Sequence, residues 1–172
     1  MVMSTSEMPR YILRNCTIFT DRVSKIGQAS EISLPVPAEK LEEIRNAGMV
    51  MPIDVPMGYE KNEASFKLTA FDPQVIRLFG LAVGQEREFM VTGALVHEDG
   101  TVINATAYIR GRLVRNNHGS WKPGEAGESE HSITLRYYRL EVDGETLIEM
   151  DPFSVSIGGV SQTAAIRSAL MV

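Results

Sequence analysis

LRYYRLEVDGETLIEMD, residues 135–151, carries its apolar side chains in two phases. Successive side chains of a strand point to opposite faces, so a strand lying on one core keeps one parity. Up to the tyrosine pair, Ile133, Leu135 and Tyr137 share a face, with Ser132, Thr134 and Arg136 opposite. Beyond it, Tyr138, Leu140 and Val142 form the apolar side, and Arg139 and Glu141 take the face that Ile133 and Leu135 held. The slip at Tyr137-Tyr138 has two explanations: a bulge, or passage of the strand from one buried surface to another. Asp143-Gly144 then offers the positive φ angles of a tight turn. A two-residue turn there pairs Val142 with Glu145 and Leu140 with Leu147.

Working outward, the same grammar recurs. Residues 86–117 hold two extended runs joined at Asp99-Gly100, a second hairpin. In residues 62–71, Ala64, Phe66, Leu68 and Ala70 alternate with Glu63, Ser65, Lys67 and Thr69, which predicts a half-buried strand. Residues 10–21 read as a first strand, 24–35 as a weaker one stopped by Pro35 and Pro37, and 146–157 as another. Two short helices are expected. Leu41 and Ile44 lie three apart in residues 38–48, with acids in the first turn and Gly48 as a stop. In residues 71–80, Asp72 caps, Pro73 fits the first turn, Gly80 ends it, and Val75, Ile76, Leu78 and Phe79 enter a core. Residues 118–131 read as loop and the tail 158–172 as a further short helix. Seven or eight strands with small helices make the class mostly β, a sandwich or barrel. With no repeat or linker, residues 1–172 form a single domain.

Composition removes several function classes. Seventeen bases against 22 acids leave a net charge of −5, so the chain has no global attraction for nucleic acid or anionic membrane. No apolar run approaches the ~18 residues of a membrane span. The amino terminus lacks the basic-then-apolar order of a signal peptide and reads as an intracellular product. Cys16 is alone, which rules out an internal disulfide, and its apolar surroundings suggest an inert buried thiol.

Catalytic patterns are scarce. His97, His118 and His131 sit by turns or loops without metal-ligand spacing, and read as solvated. Neither a nucleophile elbow nor a phosphate loop occurs. Glu42-Glu43 and Glu86/Glu88 show no sign of burial and read as solvated acids. Trp121 reads as a loop anchor. Arg110, Arg112 and Arg115 form a basic stripe that suits phosphate or an acidic patch on another copy. No cofactor and no metal is expected.

Residues 46–62, NAGMVMPIDVPMGYEKN, have no place in this plan. Met49, Met51, Ile53, Val55 and Met57 make the segment apolar, while Pro52 and Pro56 forbid a helix and disfavour a central strand. An exposed apolar arm of this kind marks a contact surface, and methionine adapts to irregular neighbours. Together with the phase slip, it points to self-assembly.

Several stretches carry a family resemblance: MPRYILRNCTIF, EISLP, LEEIRNAGM, MGYEKNEASFKLTAFDPQVIRLFGL, GALVHEDGT, RGRL, WKPGE and YYRLEVDGETLIEMD. In this order they resemble the major tail tube proteins of contractile-tailed phages, shared with R-type pyocins. Seven residues precede the family's usual Met-Pro-Arg start, and residues 1–7 are expected to be a flexible extension.

The resemblance implies a small β-barrel-like subunit with one or two flanking helices. Six copies would close into a ring with one continuous inner barrel, and rings would stack into a hollow tube. The implied partners are other copies of the chain, a contractile sheath, and tape-measure, baseplate and tail-terminator proteins. DNA would pass through without sequence-specific binding, and neither a small-molecule substrate nor an enzymatic activity is implied. The implied location is the virion tail, with assembly in the host cytoplasm; the tube of a pyocin or other contractile injection particle is the alternative. On this reading the phase slip marks the crossing from the subunit's own core to a shared barrel. Met49, Met51, Ile53, Val55, Met57, Tyr137, Tyr138, Arg110 and Arg112 are then interface candidates. An acidic lumen would repel phosphate, and its candidates are Glu63, Ser65, Thr69, Glu141, Thr146 and Glu149, with the arginines outside or between subunits. Two rivals remain. A type VI secretion tube has a similar implied fold but lacks these motifs. A stand-alone barrel that binds a ligand or hydrolyses one would need a pocket of convergent polar groups that nothing here nominates.

Overall fold

The longest strands set the architecture of the computed structural model, which describes residues 11–69, 71–80 and 82–172. Ala70, expected to face inward, and the extension 1–7 lie outside the described residues. In chain order the elements are β1 Ile12–Thr20, β2 Val23–Ser24, β3 Ala29–Ser33, β4 Glu39–Ile44, β5 Ile53–Tyr59 and β6 Glu63–Thr69. There follow α1 Pro73–Ile76, β7 Arg87–Val96, β8 Val102–Asn117, β9 Glu128–Val142, β10 Glu145–Met150, β11 Val155–Ile157, β12 Val160–Ser161 and α2 Ala164–Ala169. One sheet runs β12-β11-β10-β9-β8-β7-β1-β2, and β6, carrying β3, joins it on β9. The class is mostly β.

The phase slip resolves on β9. Its N-terminal half pairs with β6, from Glu128↔Thr69 to Thr134↔Glu63, and its C-terminal half pairs with β10, from Tyr138↔Met150 to Val142↔Glu145. Where the partner changes, the register against β8 steps from Gly111↔Leu135 to Arg110↔Tyr137, and Arg136 is the extra residue of a bulge. Ser129, His131, Ile133 and Leu135 are buried before the bulge and Tyr138 after it. Ile133, Leu135 and Tyr138 belong to one cluster, against which Leu140 also packs. The crossing to a second surface is therefore corrected: the strand stays on its own core. The extra residue inverts the parity, and the bend it creates turns the strand back onto that core.

The sheet curls around that cluster. Phe66 on β6 and Phe89 on β7 are three strands apart, a span of ~14 Å in a flat sheet. Their ring centroids are 6.4 Å apart. Phe66 and Leu68 of β6, Val91 of β7, Ile109 and Leu113 of β8, and Ile18 of β1 fill the interior. The α1 turn adds Val75, which has no exposed surface. Ala64, Phe66 and Leu68 face inward as their alternation predicts.

Both hairpins form at their Asp-Gly turns. Asp143 and Gly144 have φ of 52° and 78°, the positive pair of a type I′ turn. Val142 lies opposite Glu145 as expected, but Leu140 pairs with Ile148, because β10 slips one residue between Thr146 and Ile148. Asp72 caps α1 by accepting from the Gln74 N–H at 2.8 Å. The helix is one turn long, and Phe79, expected inside, is 50 % exposed. The helix expected over 38–48 is instead strand β4, paired with β5 in a separate two-stranded ribbon. Pairing with β5 overrides the weak helical pattern of Leu41 and Ile44. Pro56 is tolerated because each strand of a two-stranded ribbon has a free edge. Cys16, expected inside, is exposed on β1.

Candidate assembly surface

The β4–β5 ribbon supplies the first part of the surface. Every residue of β4 except Ile44 is exposed, and on β5 only Val55 and Tyr59 are even half-buried. Leu41, Val50, Met51, Ile53 and Met57 are each more than half exposed, with Val50 at 94 %. At ~25 cal/mol per Å² of apolar surface left in water, such a tip costs the isolated subunit stability that burial would return. Met51, Ile53 and Met57 are thus together on one projecting arm with half-buried Met49 and Val55.

The second part lies on the outward face of β7, β8 and β9. Phe19, Arg22, Tyr108, Arg110, Tyr137 and Arg139 line a groove of about 450 Å³, and Glu88 is the acid among its lining residues. Arg139 reaches Glu141 at 2.9 Å and lies over the Tyr108 ring at 4.6 Å. Arg110 lies over Tyr137 at 5.3 Å. Glu86, read as solvated, is mostly buried between Arg110 and Arg136, each at 3.2 Å. Tyr137 donates to Glu149 at 2.8 Å. Tyr138 faces the other way and is 2 % exposed, so its place among the interface candidates is corrected; burial also raises its pKa.

The lumen candidates occupy two outward faces. Glu63, Ser65 and Thr69 alternate with the buried residues of β6. Glu141, Thr146 and Glu149 stand beside Arg139 on β9 and β10, since Glu141 pairs with Thr146 and Arg139 with Glu149. Glu63 pairs with Thr134 in the N-terminal half of β9 and Glu141 lies in its C-terminal half, so the two sets stand on either side of the bulge, on different parts of one curled sheet. The register also puts Arg110 opposite Tyr137, and Arg112 opposite Thr134, on the outward side with the acids. Arg110 and Arg112 therefore share the outward side of the sheet with Glu141 and Glu149.

Two buried polar groups escaped the sequence reading. Lys25 is 2 % exposed; its ammonium meets Asp72 at 2.6 Å and donates to Gln74 at 2.8 Å, tying the β2–β3 connection to the α1 cap. Burial pushes the Asp72 carboxyl up, but the Lys25 hydrogen bond, the Gln74 N–H and the Lys25 charge together hold it below the usual range. His131, read as solvated, is 1 % exposed, stacked near Phe66 at 5.0 Å and within 3.1 Å of Ser129 Oγ. Burial, with the nearby His118 charge, lowers its pKa to about 4, so the ring is neutral at pH 7. Trp121, expected to anchor its loop, is 77 % exposed and meets Phe71 edge-on at 5.5 Å. Among the described residues, no group of three His, Cys, Asp or Glu could hold a metal, and no helix is long and apolar enough to cross a membrane.

Known proteins share the sequence and the fold of this chain. The family described as phage tail tube protein FII matches residues 9–170. The chain is 30 % identical over 161 residues to the tail tube protein of Escherichia phage P2, covering 90 % of this chain and 93 % of that one. It is 26 % identical to the major tail tube protein of Serratia phage KSP20, with 81 % of each covered. In fold it resembles a chain of the sheath-tube complex of an extracellular contractile injection system, with a TM-score of 0.55 and 13 % identity over 81 % of this chain and 99 % of the other.

Proposed function

The chain belongs to the phage tail tube protein FII family, structural components of the virion tail, and from that premise we propose how it builds the tube. Copies close into hexameric rings that stack into a hollow conduit for DNA inside a contractile sheath. Tape-measure, baseplate and terminator proteins set its length and ends, and assembly takes place in the host cytoplasm. The observation that carries this reading is the β4–β5 arm, whose apolar tip has no cover in its own subunit. Replacing Met51 and Met57 by Asp places charges where a neighbour must pack. The expected product is a folded, soluble subunit, with wild-type far-UV circular dichroism, that forms no tubes in negative-stain microscopy. Normal tubes from this variant would remove the arm from the interface.

The inner tube of a non-phage injection particle is the second reading, favoured by the fold likeness to the injection-system chain. Capsid and terminase genes beside this one would point to the phage.

For the lumen, we propose an acidic wall drawn from one of the two outward sets. Each phosphate contacted by a cation adds affinity through counterion release, which would arrest a sliding polymer. Particles carrying Glu63→Lys are compared with particles carrying Glu141→Lys. DNA release is expected to slow in the variant whose lysine lines the bore and to stay at the wild-type rate in the other. Wild-type release from both would refute an acidic wall.

A further inference from the structure

The arm carries a charge arrangement that its own subunit leaves unanswered. Glu43 lies directly opposite Asp54 across the ribbon. Like charges in that position weaken a strand pair. Neither carboxylate has an ion-pair partner among the described residues. Beyond them the tip presents Val50 and Met51, 94 % and 70 % exposed.

The groove on the body shows the complementary pattern. Its floor is aromatic, from Phe19, Tyr108 and Tyr137, and its cations are Arg22, Arg110 and Arg139. Arg110 and Arg139 are engaged by Glu86 and Glu141. Arg22 has no ion-pair partner among the described residues. It sits in the β1–β2 turn with φ of 70°, after Asp21 at 48°. Glycine or asparagine fills such turns at least cost, and an arginine held there is strained. The subunit retains an unpaired cation, in an unfavourable backbone conformation, at the lip of an apolar groove.

We propose that the β4–β5 arm of one copy seats in this groove of a second copy. Glu43 and Asp54 face Arg22, and Val50 and Met51 cover the aromatic floor. Charge complementarity selects the occupant: the arm offers unpaired acids beside exposed apolar side chains, and the groove lines an aromatic floor with three arginines against one acid, Glu88. The inference rests on the tube reading above and names the two surfaces that meet.

The test uses the full chain and follows the protein concentration at which tubes form. Arg22→Gly relieves the backbone strain, so the unassembled subunit is expected to keep or raise its Tm. It is expected to raise the tube-forming concentration about tenfold or more, through loss of a desolvated charge contact. Arg22→Glu is expected to act more strongly, and adding Glu43→Arg to it to recover a substantial part of the loss. Wild-type polymerisation by Arg22→Glu, or no recovery in the double variant, would overturn the arm-in-groove pairing and leave the tube reading intact. A wild-type chain that forms no tubes would overturn the tube reading itself.

Discussion

Gly111→Ala is expected to destabilise the unassembled subunit by ~3 kcal/mol or more, a severe case of overpacking. A Cβ at Gly111 would lie 2.1 Å from the Thr134 carbonyl oxygen and 3.0 Å from Leu135 Cα. Both are backbone atoms of β9 at the bulge, so no side-chain rotation relieves the clash. The strand must retreat, and with it Ile133 and Leu135, which are buried in the core. The ~0.5–1 kcal/mol that alanine gains over glycine by restricting the unfolded chain is too small to offset this. For a chain of this size the loss corresponds to a Tm lower by ~6–12 °C. Gly127→Ala is the control, since a Cβ there meets nothing closer than 3.9 Å, and it should unfold like the wild type. Urea unfolding of the two variants side by side decides the matter. Equal stability would mean that β8 and β9 do not approach so closely at the bulge.

Lys25→Met is expected to cost ~3–5 kcal/mol at pH 7, because it leaves the Asp72 carboxylate, 13 % exposed, without its counter-charge. Adding Asp72→Asn should return much of that loss, since asparagine can still cap α1 while no buried charge remains. The pH dependence gives an independent check. In the wild type the Asp72 pKa lies below its unfolded value, so its contribution is complete above ~pH 4 and fades as pH falls through the folded pKa. Without Lys25 the desolvation that raises this pKa is no longer opposed by the ammonium, and protonation relieves the variant. The gap between wild type and Lys25→Met should therefore narrow on acidification from pH 7 to pH 4. A gap that widens, or a single substitution costing under ~1 kcal/mol, would show that the pair contributes little.

Much of the fold was legible because its signals are local. Turn residues at Asp99-Gly100 and Asp143-Gly144, the Asp72 cap before Pro73, and the alternation from Glu63 to Thr69 each act within a few residues, and each appears in the structure. The arm was legible as a segment without a home because its prolines and methionines conflict with every buried element. Its secondary structure was not legible, since β4 becomes a strand only through pairing with β5. Among the candidate site residues, alternation placed Glu63, Ser65 and Thr69 on the outward face of β6. It failed at Tyr138, two residues past the bulged Arg136.

What the sequence by itself determined is a mostly β chain with two Asp-Gly hairpins, a capped helical turn and an apolar arm, each specified by neighbours along the chain. Only the tertiary structure decided which way the phase slip resolves, because the bulge arises where β9 exchanges β6 for β10 beside Gly111. It alone decided that Lys25 is buried while the adjacent Ile26 is 73 % exposed, against their hydropathy. The groups that neutralise Lys25 come from the α1 cap, with Gln74 49 residues further along the chain. Burial of a charge depends on partners that only folding brings within reach, and no local pattern encodes their arrival.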